Sequence, residues 1–133
     1  MGLTGPLPEH VLRLMSARDR ALLGKGGLTA SEAIAMYNKR LEREEQRLFA
    51  RELERFRLPY YWHRTDKRTG ATCGTPDFIV GVSSGRTLWI EFKAQGGELS
   101  NAQIEFATRL GVQGLRLHIC RSATEAVKLL TED

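Results

Sequence analysis

Asp77, Glu91 and Lys93 are the residues whose types and spacing best suit chemistry, because all three lie within otherwise apolar segments. They belong to the stretch GTPDFIVGVSSGRTLWIEFK, residues 74–93, which is typical of two short strands joined by a turn. A charged side chain in a half-buried strand is costly unless another group compensates it. Three ionic groups on one hairpin therefore indicate a candidate functional site.

The turn between the two strands decides which side chains share a face of the sheet. Residues 83–85, Ser-Ser-Gly, have the form of a three-residue hairpin loop, a type I turn closed by a glycine in the left-handed region. This loop pairs the two residues that flank it, and the same register sets Asp77 opposite Glu91. Because side chains alternate along a strand, Lys93 emerges on the same face as Glu91. The predicted hairpin thus presents two acids and one lysine together.

Opposed carboxylates on paired strands predict a bound cation. Their Cβ atoms would lie roughly 5 Å apart, a spacing at which like charges destabilise the strand pair. A Mg²⁺ ion favours carboxylate and carbonyl oxygens and typically takes one or two protein carboxylates, with waters and substrate phosphates completing its shell. Lys93 beside the pair is suited to stabilising negative charge or orienting an attacking water. The alternative interpretation is a solvated acid pair that Lys93 neutralises.

The helix before the hairpin offers a further carboxylate. Thr29 and Glu32 have capping-box spacing, which predicts a long helix from there to about residue 56. Its second half carries an apolar stripe at helical spacing, formed by Leu41, Leu48, Phe49, Leu53 and Phe56. At 100° per residue, Glu45 and Glu52 fall in the middle of this stripe. Both are candidates for the site built on the sheet, although either could instead lie at the margin of the core.

An aromatic segment and a basic loop separate this helix from the hairpin. PYYWHR, residues 59–64, is typical of a strand, and its three aromatic side chains could stack on unpaired bases or pack in the core. His63 is either a DNA contact or an ordinary strand residue. In the loop that follows, Lys67 and Arg68 are suited to phosphate contact. We therefore predict a DNA contact in this loop.

The chain after the hairpin predicts a helix, a strand and a second helix. The first helix is expected from about residue 101 to residue 110, where Ser100 and Gln103 have capping-box spacing. Gln103 either serves this cap alone or reaches the site on the acidic strand. LRLHIC, residues 115–120, predicts a strand, and a final helix begins after the capping residue Ser122.

Glycines and prolines indicate how the chain is divided. The first eight residues predict an irregular arm, and a short helix is expected over about residues 9–23, where a run of glycines ends it. We therefore expect an N-terminal arm and helical extension over residues 1–40 and a main domain over residues 41–133.

Composition bounds the class of protein. With 133 residues, of which 41% are hydrophobic and 27% charged, the chain resembles an ordinary globular domain. Its net charge of +4 suits a polyanionic partner such as nucleic acid. The two cysteines form neither a disulfide framework nor a zinc-site pattern, which favours a reducing, cytoplasmic location. No apolar run approaches the roughly 20 residues of a membrane span, so we expect no membrane association.

The order of elements and their motifs together resemble the VRR-NUC (virus-type replication-repair nuclease) family of the PD-(D/E)xK nuclease superfamily. The resemblance spans about residues 44–130 and rests on four segments: GTPDFIV, LWIEFKA, GGELSNAQ and RLHICRSATEAVKLL. It implies an α/β fold, in which a restriction-endonuclease-like αβββαβ core has a mixed sheet flanked by helices. The N-terminal helical extension lies outside this core.

The resemblance also implies a reaction and the residues that carry it out. Members of this family hydrolyse DNA phosphodiesters with Mg²⁺ or Mn²⁺. The matching positions make Asp77 and Glu91 metal ligands, with the backbone carbonyl of Phe92 completing the set. Lys93 matches the lysine that positions or activates water. In this family a glutamate of the first core helix joins the site.

Two helical residues complete the expected site. The apolar stripe of the long helix selects Glu45 as the family's helical glutamate and therefore as a further metal ligand. Gln103 matches the glutamine that the family carries on the helix after the acidic strand. The catalytic residues expected from the resemblance are therefore Asp77, Glu91, Lys93, Glu45 and Gln103.

These expectations give one leading hypothesis about function and two alternatives. The leading hypothesis is a metal-dependent, structure-selective DNA endonuclease that acts as a homodimeric Holliday junction resolvase, because a two-fold symmetric four-way junction needs two matched cuts. The first alternative is a flap-cutting, nicking or general DNA-repair nuclease with the same chemistry. The second is a non-catalytic DNA-binding module that keeps the fold.

Overall fold

A computed structural model describes residues 29–64 and 74–132 of the chain. The predicted N-terminal arm and short helix lie outside the described residues, as does the basic loop with Lys67 and Arg68. The chain divides into two compact units, Met1–Leu41 and Glu42–Asp133. The predicted domain boundary at residue 40 stays a prediction.

The described residues form helices and strands in the predicted αβββαβ order, followed by a last helix. These elements are α1 (Ala30–Arg55), β1 (Tyr60–Trp62), β2 (Phe78–Val82), β3 (Arg86–Phe92), α2 (Asn101–Val112), β4 (Leu117–Cys120) and α3 (Ala123–Leu130). No helix in this part of the chain combines the length and apolar character needed to span a bilayer.

Helix α1 begins and ends with local hydrogen-bonding motifs. The Thr29 hydroxyl oxygen accepts from the backbone N–H of Glu32 at 3.1 Å, as the capping-box spacing predicted. At the other end, Leu58 N–H donates to the Leu53 carbonyl and Arg57 N–H to the Glu54 carbonyl. This is a Schellman motif, in which Arg57 adopts the left-handed φ of 56° that glycine more often supplies. The chain then turns directly into β1.

The four strands form one mixed sheet in the order β1-β2-β3-β4. The first three strands are antiparallel, and β4 runs parallel to β3. Val82 pairs with Arg86, so the predicted hairpin register is confirmed. The predicted turn type is wrong, because Ser84 has a φ of 67° and Gly85 a φ of 70°, whereas a type I turn needs a negative φ at Ser84.

One face of the sheet carries the hydrophobic core. Phe78, Ile90 and Phe92 are almost fully buried there beneath helices α1 and α3. The ring of Phe49 on α1 lies 5.0 Å from that of Phe78 and 5.7 Å from that of Phe92, centroid to centroid. Burial of each such ring stabilises the fold by about 2–3 kcal/mol. These contacts hold α1 against the strands that carry the acidic pair.

The opposite face of the sheet packs against α2. Trp89 on β3 lies on this face, and its ring is 6.1 Å from that of Phe106 on α2. Because residues alternate along β3, Glu91 and Lys93 share the face of Trp89. Helix α2 therefore approaches the sheet on the side of the predicted site.

The buried face of α1 differs from the predicted apolar stripe. Phe49 and Leu53 are fully buried, but Leu48 and Phe56 are 45% and 48% exposed. Gln46 and Ala50 join the buried face instead, and the Gln46 side chain accepts a hydrogen bond from the Trp62 indole N–H at 3.0 Å. The helix is thus rotated about its axis relative to the prediction, which changes the glutamate that faces the site.

Candidate active site

Asp77 and Glu91 form a buried carboxylate pair where β2 begins and β3 ends. Their exposed fractions are 5% and 4%. Asp77 Oδ2 accepts from the Phe92 N–H at 2.8 Å, and Glu91 Oε2 accepts from the Asp77 N–H at 3.2 Å. Each carboxylate is therefore held by a backbone N–H of the paired segment, next to the register that sets Phe78 opposite Ile90.

Gln103 and Lys93 both reach the second oxygen of Glu91. Gln103 Nε2 donates to Glu91 Oε1 at 2.7 Å, and Lys93 Nζ lies 3.8 Å from the same oxygen. Gln103 also completes the capping box of α2, because its Oε1 accepts from the Ser100 N–H and its own N–H donates to the Ser100 hydroxyl. Both interpretations of Gln103 hold together: one end of its amide caps the helix and the other contacts the acidic pair.

Burial of the two acids raises both pKa values. For Asp77, burial is the largest cause and raises the pKa from 3.8 to about 6, against the lowering effect of the hydrogen bond from Phe92. For Glu91, burial and then the charge of Asp77 raise the pKa from 4.5 to about 8, while Lys93 lowers it. The pair therefore resists full ionisation at neutral pH, and a nearby positive charge would relieve this cost.

Glu42 on α1 is a further carboxylate at this site, which the predicted apolar stripe did not include. Its Oε1 accepts from the Ala94 N–H at 2.9 Å, directly after Lys93. Its charge also raises the pKa values of Asp77 and Glu91. The available signal was spacing, because Glu42 stands four residues before Gln46 and seven before Phe49 and so shares their helical face.

The two glutamates that the stripe selected have other contacts. Glu45 Oε2 accepts from the Ala123 N–H at 2.7 Å, so it binds the first turn of α3, where backbone N–H groups lack helical partners. Glu52 lies 3.5 Å from Arg55, one turn further along α1. Of the three helical glutamates, Glu42 is the one that contacts the end of the acidic strand. The assignment of Glu45 as a metal ligand stays a prediction, which the position of Glu42 disfavours.

The segment after Lys93 is held by the end of β4 and the residue that follows it. Arg121 Nη1 donates to the carbonyls of Ala94 and Gly97, both at 2.7 Å. The Lys93 N–H donates to the Cys120 carbonyl at 3.1 Å. These bonds fix the backbone that connects the lysine of β3 to the first turn of α2, and therefore fix where Gln103 stands.

A close backbone approach anchors the other side of the site. Gly74 has a φ of +86°, and a Cβ at this position would lie 2.3 Å from the Ala102 carbonyl oxygen in the first turn of α2. Only glycine allows this approach, so the chain leading into Asp77 and the helix carrying Gln103 are packed directly on each other.

The comparisons with known proteins agree with this architecture. A family model described as the VRR-NUC domain matches residues 31–124. The chain belongs to the VRR-NUC domain family. A solved structure titled "VRR_NUC domain" matches with a TM-score of 0.51 and 20% sequence identity, covering 66% of this chain and 91% of that chain. At that identity the match shows the fold, and it confirms the predicted mixed sheet flanked by helices. A search of curated proteins finds no significant match.

The donor atoms of the acidic pair fit a hard divalent cation. Among residues 29–64 and 74–132, no three His, Cys, Asp or Glu side chains are grouped as a metal cluster. Mg²⁺ does not need such a cluster, since one or two carboxylates suffice when waters and substrate phosphates fill the other positions. Asp77 and Glu91 are two such carboxylates, and their pKa values are raised chiefly by burial, a cost that a bound cation would offset.

Proposed function

We propose that the chain is a divalent-metal-dependent endodeoxyribonuclease that hydrolyses DNA phosphodiesters at Asp77, Glu91 and Lys93. The observation that carries the proposal is the buried pair of carboxyl groups, with exposed fractions of 5% and 4%, next to a lysine. Such a pair destabilises the free protein, and a cation bound between its oxygens offsets that cost. The VRR-NUC match supports a nuclease role for this site.

The metal would be held by side chains of Asp77 and Glu91, with the Phe92 carbonyl as the third protein donor. When bound, Mg²⁺ or Mn²⁺ supplies Lewis-acid polarisation of the scissile phosphate and lowers the pKa of water. Gln103 keeps the Glu91 carboxylate in place through its 2.7 Å hydrogen bond. The protein therefore brings a preorganised set of oxygens to the phosphate.

Lys93 supplies the positive charge of the reaction site. Its side chain is 17% exposed, so it is largely shielded from bulk water, and its Nζ lies 3.8 Å from Glu91 Oε1. A shielded ammonium group interacts more strongly with nearby charge than an exposed one does. In this role Lys93 orients the attacking water and stabilises the negative charge that builds on the phosphate.

Glu42 is the helical carboxylate that we assign to this site in place of Glu45. It binds the amide that follows Lys93, and its charge acts on both acids of the pair. A carboxylate in this position holds the end of β3 and adds negative charge that strengthens cation binding. Glu45 serves instead to join α1 to α3.

The substrate that we propose is branched DNA, with the four-way junction as the leading candidate and a homodimer as the active form. The net charge of +4 supports a polyanionic partner. Two identical active sites in a symmetric dimer would make the two matched cuts that a junction needs. We also propose that the protein works in the cytoplasm or another compartment with DNA, because its proposed substrate is DNA.

The test compares an end-labelled four-way junction with a flap and a linear duplex of matched sequence, each with Mg²⁺, Mn²⁺ or chelator. We expect paired, symmetric nicks in the junction, which disappear in chelator and in Lys93→Ala. Preferential cutting of the flap would keep the site and replace the substrate. Tight binding of all three DNAs without cleavage under either metal would replace the enzyme with a DNA-binding module.

A further inference from the structure

Tyr61 presents an exposed aromatic ring on the same face of the sheet as the acidic pair. In the antiparallel pairing of β1 with β2, Tyr61 lies opposite Ile79. The pairing continues beyond β1, because the His63 N–H donates to the Asp77 carbonyl at 2.7 Å. Residues directly opposite each other share a face, and residues two apart along a strand share it as well. Tyr61 therefore projects from the face that carries the Asp77 side chain.

The other end of β1 supports this assignment of faces. The Gly81 N–H donates to the Pro59 carbonyl at 2.9 Å, which continues the same register. A Cβ on Gly81 would lie 3.0 Å from Pro59 Cγ, so the Pro59 ring covers the face that Gly81 leaves bare. The side chains of Pro59, Tyr61 and His63 therefore lie on the same side of the strand.

Tyr60 and Trp62, the neighbours of Tyr61, pack against the hydrophobic core, whereas the ring of Tyr61 is exposed. The ring of Trp62 stacks on Phe78 at 5.4 Å with an interplanar angle of 11°. The ring of Tyr60 lies 6.3 Å from Phe78, and its hydroxyl donates to Glu54 at 2.8 Å. Tyr61 is 52% exposed between them. Two core contacts therefore hold its backbone rigidly while its ring stays open to a ligand.

The distance from Tyr61 to the acidic pair fits a nucleotide chain. Residues related by one strand across and two positions along lie roughly 7–8 Å apart, which is the relation of Tyr61 to Asp77. Successive nucleotides of one DNA strand are spaced by about 3.4 Å along a duplex. The ring thus lies within reach of a base one or two nucleotides from a phosphate held at the pair.

We propose that Tyr61 is a stacking platform for a base of the DNA substrate whose face is exposed at a branch, beside the scissile phosphate. The position of that phosphate rests on the function proposed above. An aromatic face can stack only on a base whose own face is free, whereas bases within an intact duplex are already stacked on each other. Tyr61 therefore selects DNA with exposed base faces at a branch over continuous duplex.

The test is a cycle of protein and DNA changes, measured as DNA binding in chelator. The DNA is a splayed duplex with single-stranded arms, and an abasic residue replaces each of the first three nucleotides beside the branch in turn. The proteins are the wild type, Tyr61→Phe and Tyr61→Ala. The control is Phe56→Ala, because Phe56 is a 48% exposed aromatic residue directly after the last residue of α1, outside the sheet.

We expect Tyr61→Ala to bind the splayed duplex roughly 5- to 150-fold more weakly, and Tyr61→Phe to bind it like the wild type. One abasic position should weaken wild-type binding by a similar factor and leave the Tyr61→Ala variant unchanged. The Phe56→Ala variant and the continuous duplex should show little change. Equal losses for Tyr61→Ala on intact and abasic DNA, or no binding of the splayed duplex, would overturn the inference.

The two proposals fail separately in this design. In one outcome the protein cleaves DNA, but the losses of binding caused by Tyr61→Ala and by the abasic residue are additive. That outcome would support the nuclease function and exclude the stacking role. In the other outcome the effects of Tyr61→Ala and the abasic residue on binding are coupled, but no DNA is cleaved with Mg²⁺ or Mn²⁺. Tyr61 would then be a base contact of a DNA-binding protein.

Discussion

The two faces of the sheet differ most at the point where β2 begins and β3 ends. Phe78, Ile90 and Phe92 point into the core and are almost fully buried among aromatic rings. Asp77 and Glu91, their immediate neighbours in sequence, point to the other face and form a buried pair of like charges. Strand alternation thus places side chains that stabilise the fold next to acids whose burial costs free energy.

This difference suggests how the site is maintained. Two buried acids would move apart or draw in water if their strands were free to separate. The aromatic core holds the strands together from the opposite face, and the hydrogen bonds of Asp77 to Phe92 and of Glu91 to Asp77 hold the carboxylates themselves. The stability of one face therefore allows the other face to keep a destabilising arrangement that is useful for binding a cation.

Replacement of adjacent residues on opposite faces should give opposite results. Asp77→Asn should lower DNA cleavage by about 10³-fold, because it removes a charged oxygen donor, without lowering the melting temperature in chelator. Phe78→Ala should instead lower the free energy of unfolding by about 3–5 kcal/mol, because it leaves a cavity in the core. Cleavage assays and thermal unfolding of both variants check this prediction. A marked loss of stability in Asp77→Asn would contradict it.

The pH dependence of stability isolates the acidic face. The folded-state pKa values of Asp77 and Glu91, about 6 and about 8, lie above the ordinary values of 3.8 and 4.5. The folded chain therefore binds more protons than the unfolded chain between about pH 4 and pH 8, so the contribution of the pair to stability falls as pH rises through this range. The loss should be on the order of a few kcal/mol and should level off above pH 8.

Urea unfolding in chelator at several pH values from 5 to 9 measures this dependence. Glu91→Gln is the matched variant, because it keeps the shape of the side chain and removes the group with the larger shift. It should flatten most of the slope. A wild-type curve that rises with pH across this range, or a variant with the same slope as the wild type, would contradict the account.

The hairpin was largely predictable from sequence, because its determinants are local. Loop length and strand alternation fixed the register that sets Val82 against Arg86. The caps at Thr29 and Ser100 followed from side chains three residues apart. The turn type was not predictable in this way, since Ser84 adopts a positive φ that its residue type does not favour.

The helical carboxylate was harder to predict, because it depends on how α1 is rotated against the sheet. Glu42 and Glu45 are three residues apart and so lie only about 60° from each other around the helix. Leu48 and Phe56 shifted the predicted stripe toward Glu45, yet both stay about half exposed. Nothing local distinguishes an exposed leucine from a buried one, so tertiary packing decided the face.

Glu42 and Glu45 offer a second comparison of two neighbouring residues. Glutamine at either position keeps an oxygen that accepts the backbone N–H bond and removes only the charge. Glu42→Gln should lower cleavage roughly 10- to 100-fold, because its charge acts on the acidic pair. Glu45→Gln should leave cleavage nearly unchanged. Steady-state cleavage of both variants tests this, and the reverse result would restore Glu45 as the helical ligand.

Substitutions of Gln103 can separate its role in capping α2 from its contact with the acidic pair. Gln103→Glu keeps an oxygen for the Ser100 N–H but replaces the donor to Glu91 with an additional acid. It should lower cleavage about 10-fold with little loss of helix stability, whereas Gln103→Ala should weaken both. Circular dichroism and cleavage assays of the two variants distinguish these effects. Full activity of Gln103→Glu would mean that the glutamine serves the cap alone.

The most direct test of the account is cleavage of one end-labelled four-way junction by wild type and Asp77→Asn, each with Mg²⁺ and with chelator, at matched bound fractions of DNA. The account predicts phosphodiester cleavage by the wild type with Mg²⁺ and none in the other three reactions. Cleavage that persists in chelator or in Asp77→Asn would contradict the assignment of the chemistry to the buried acidic pair.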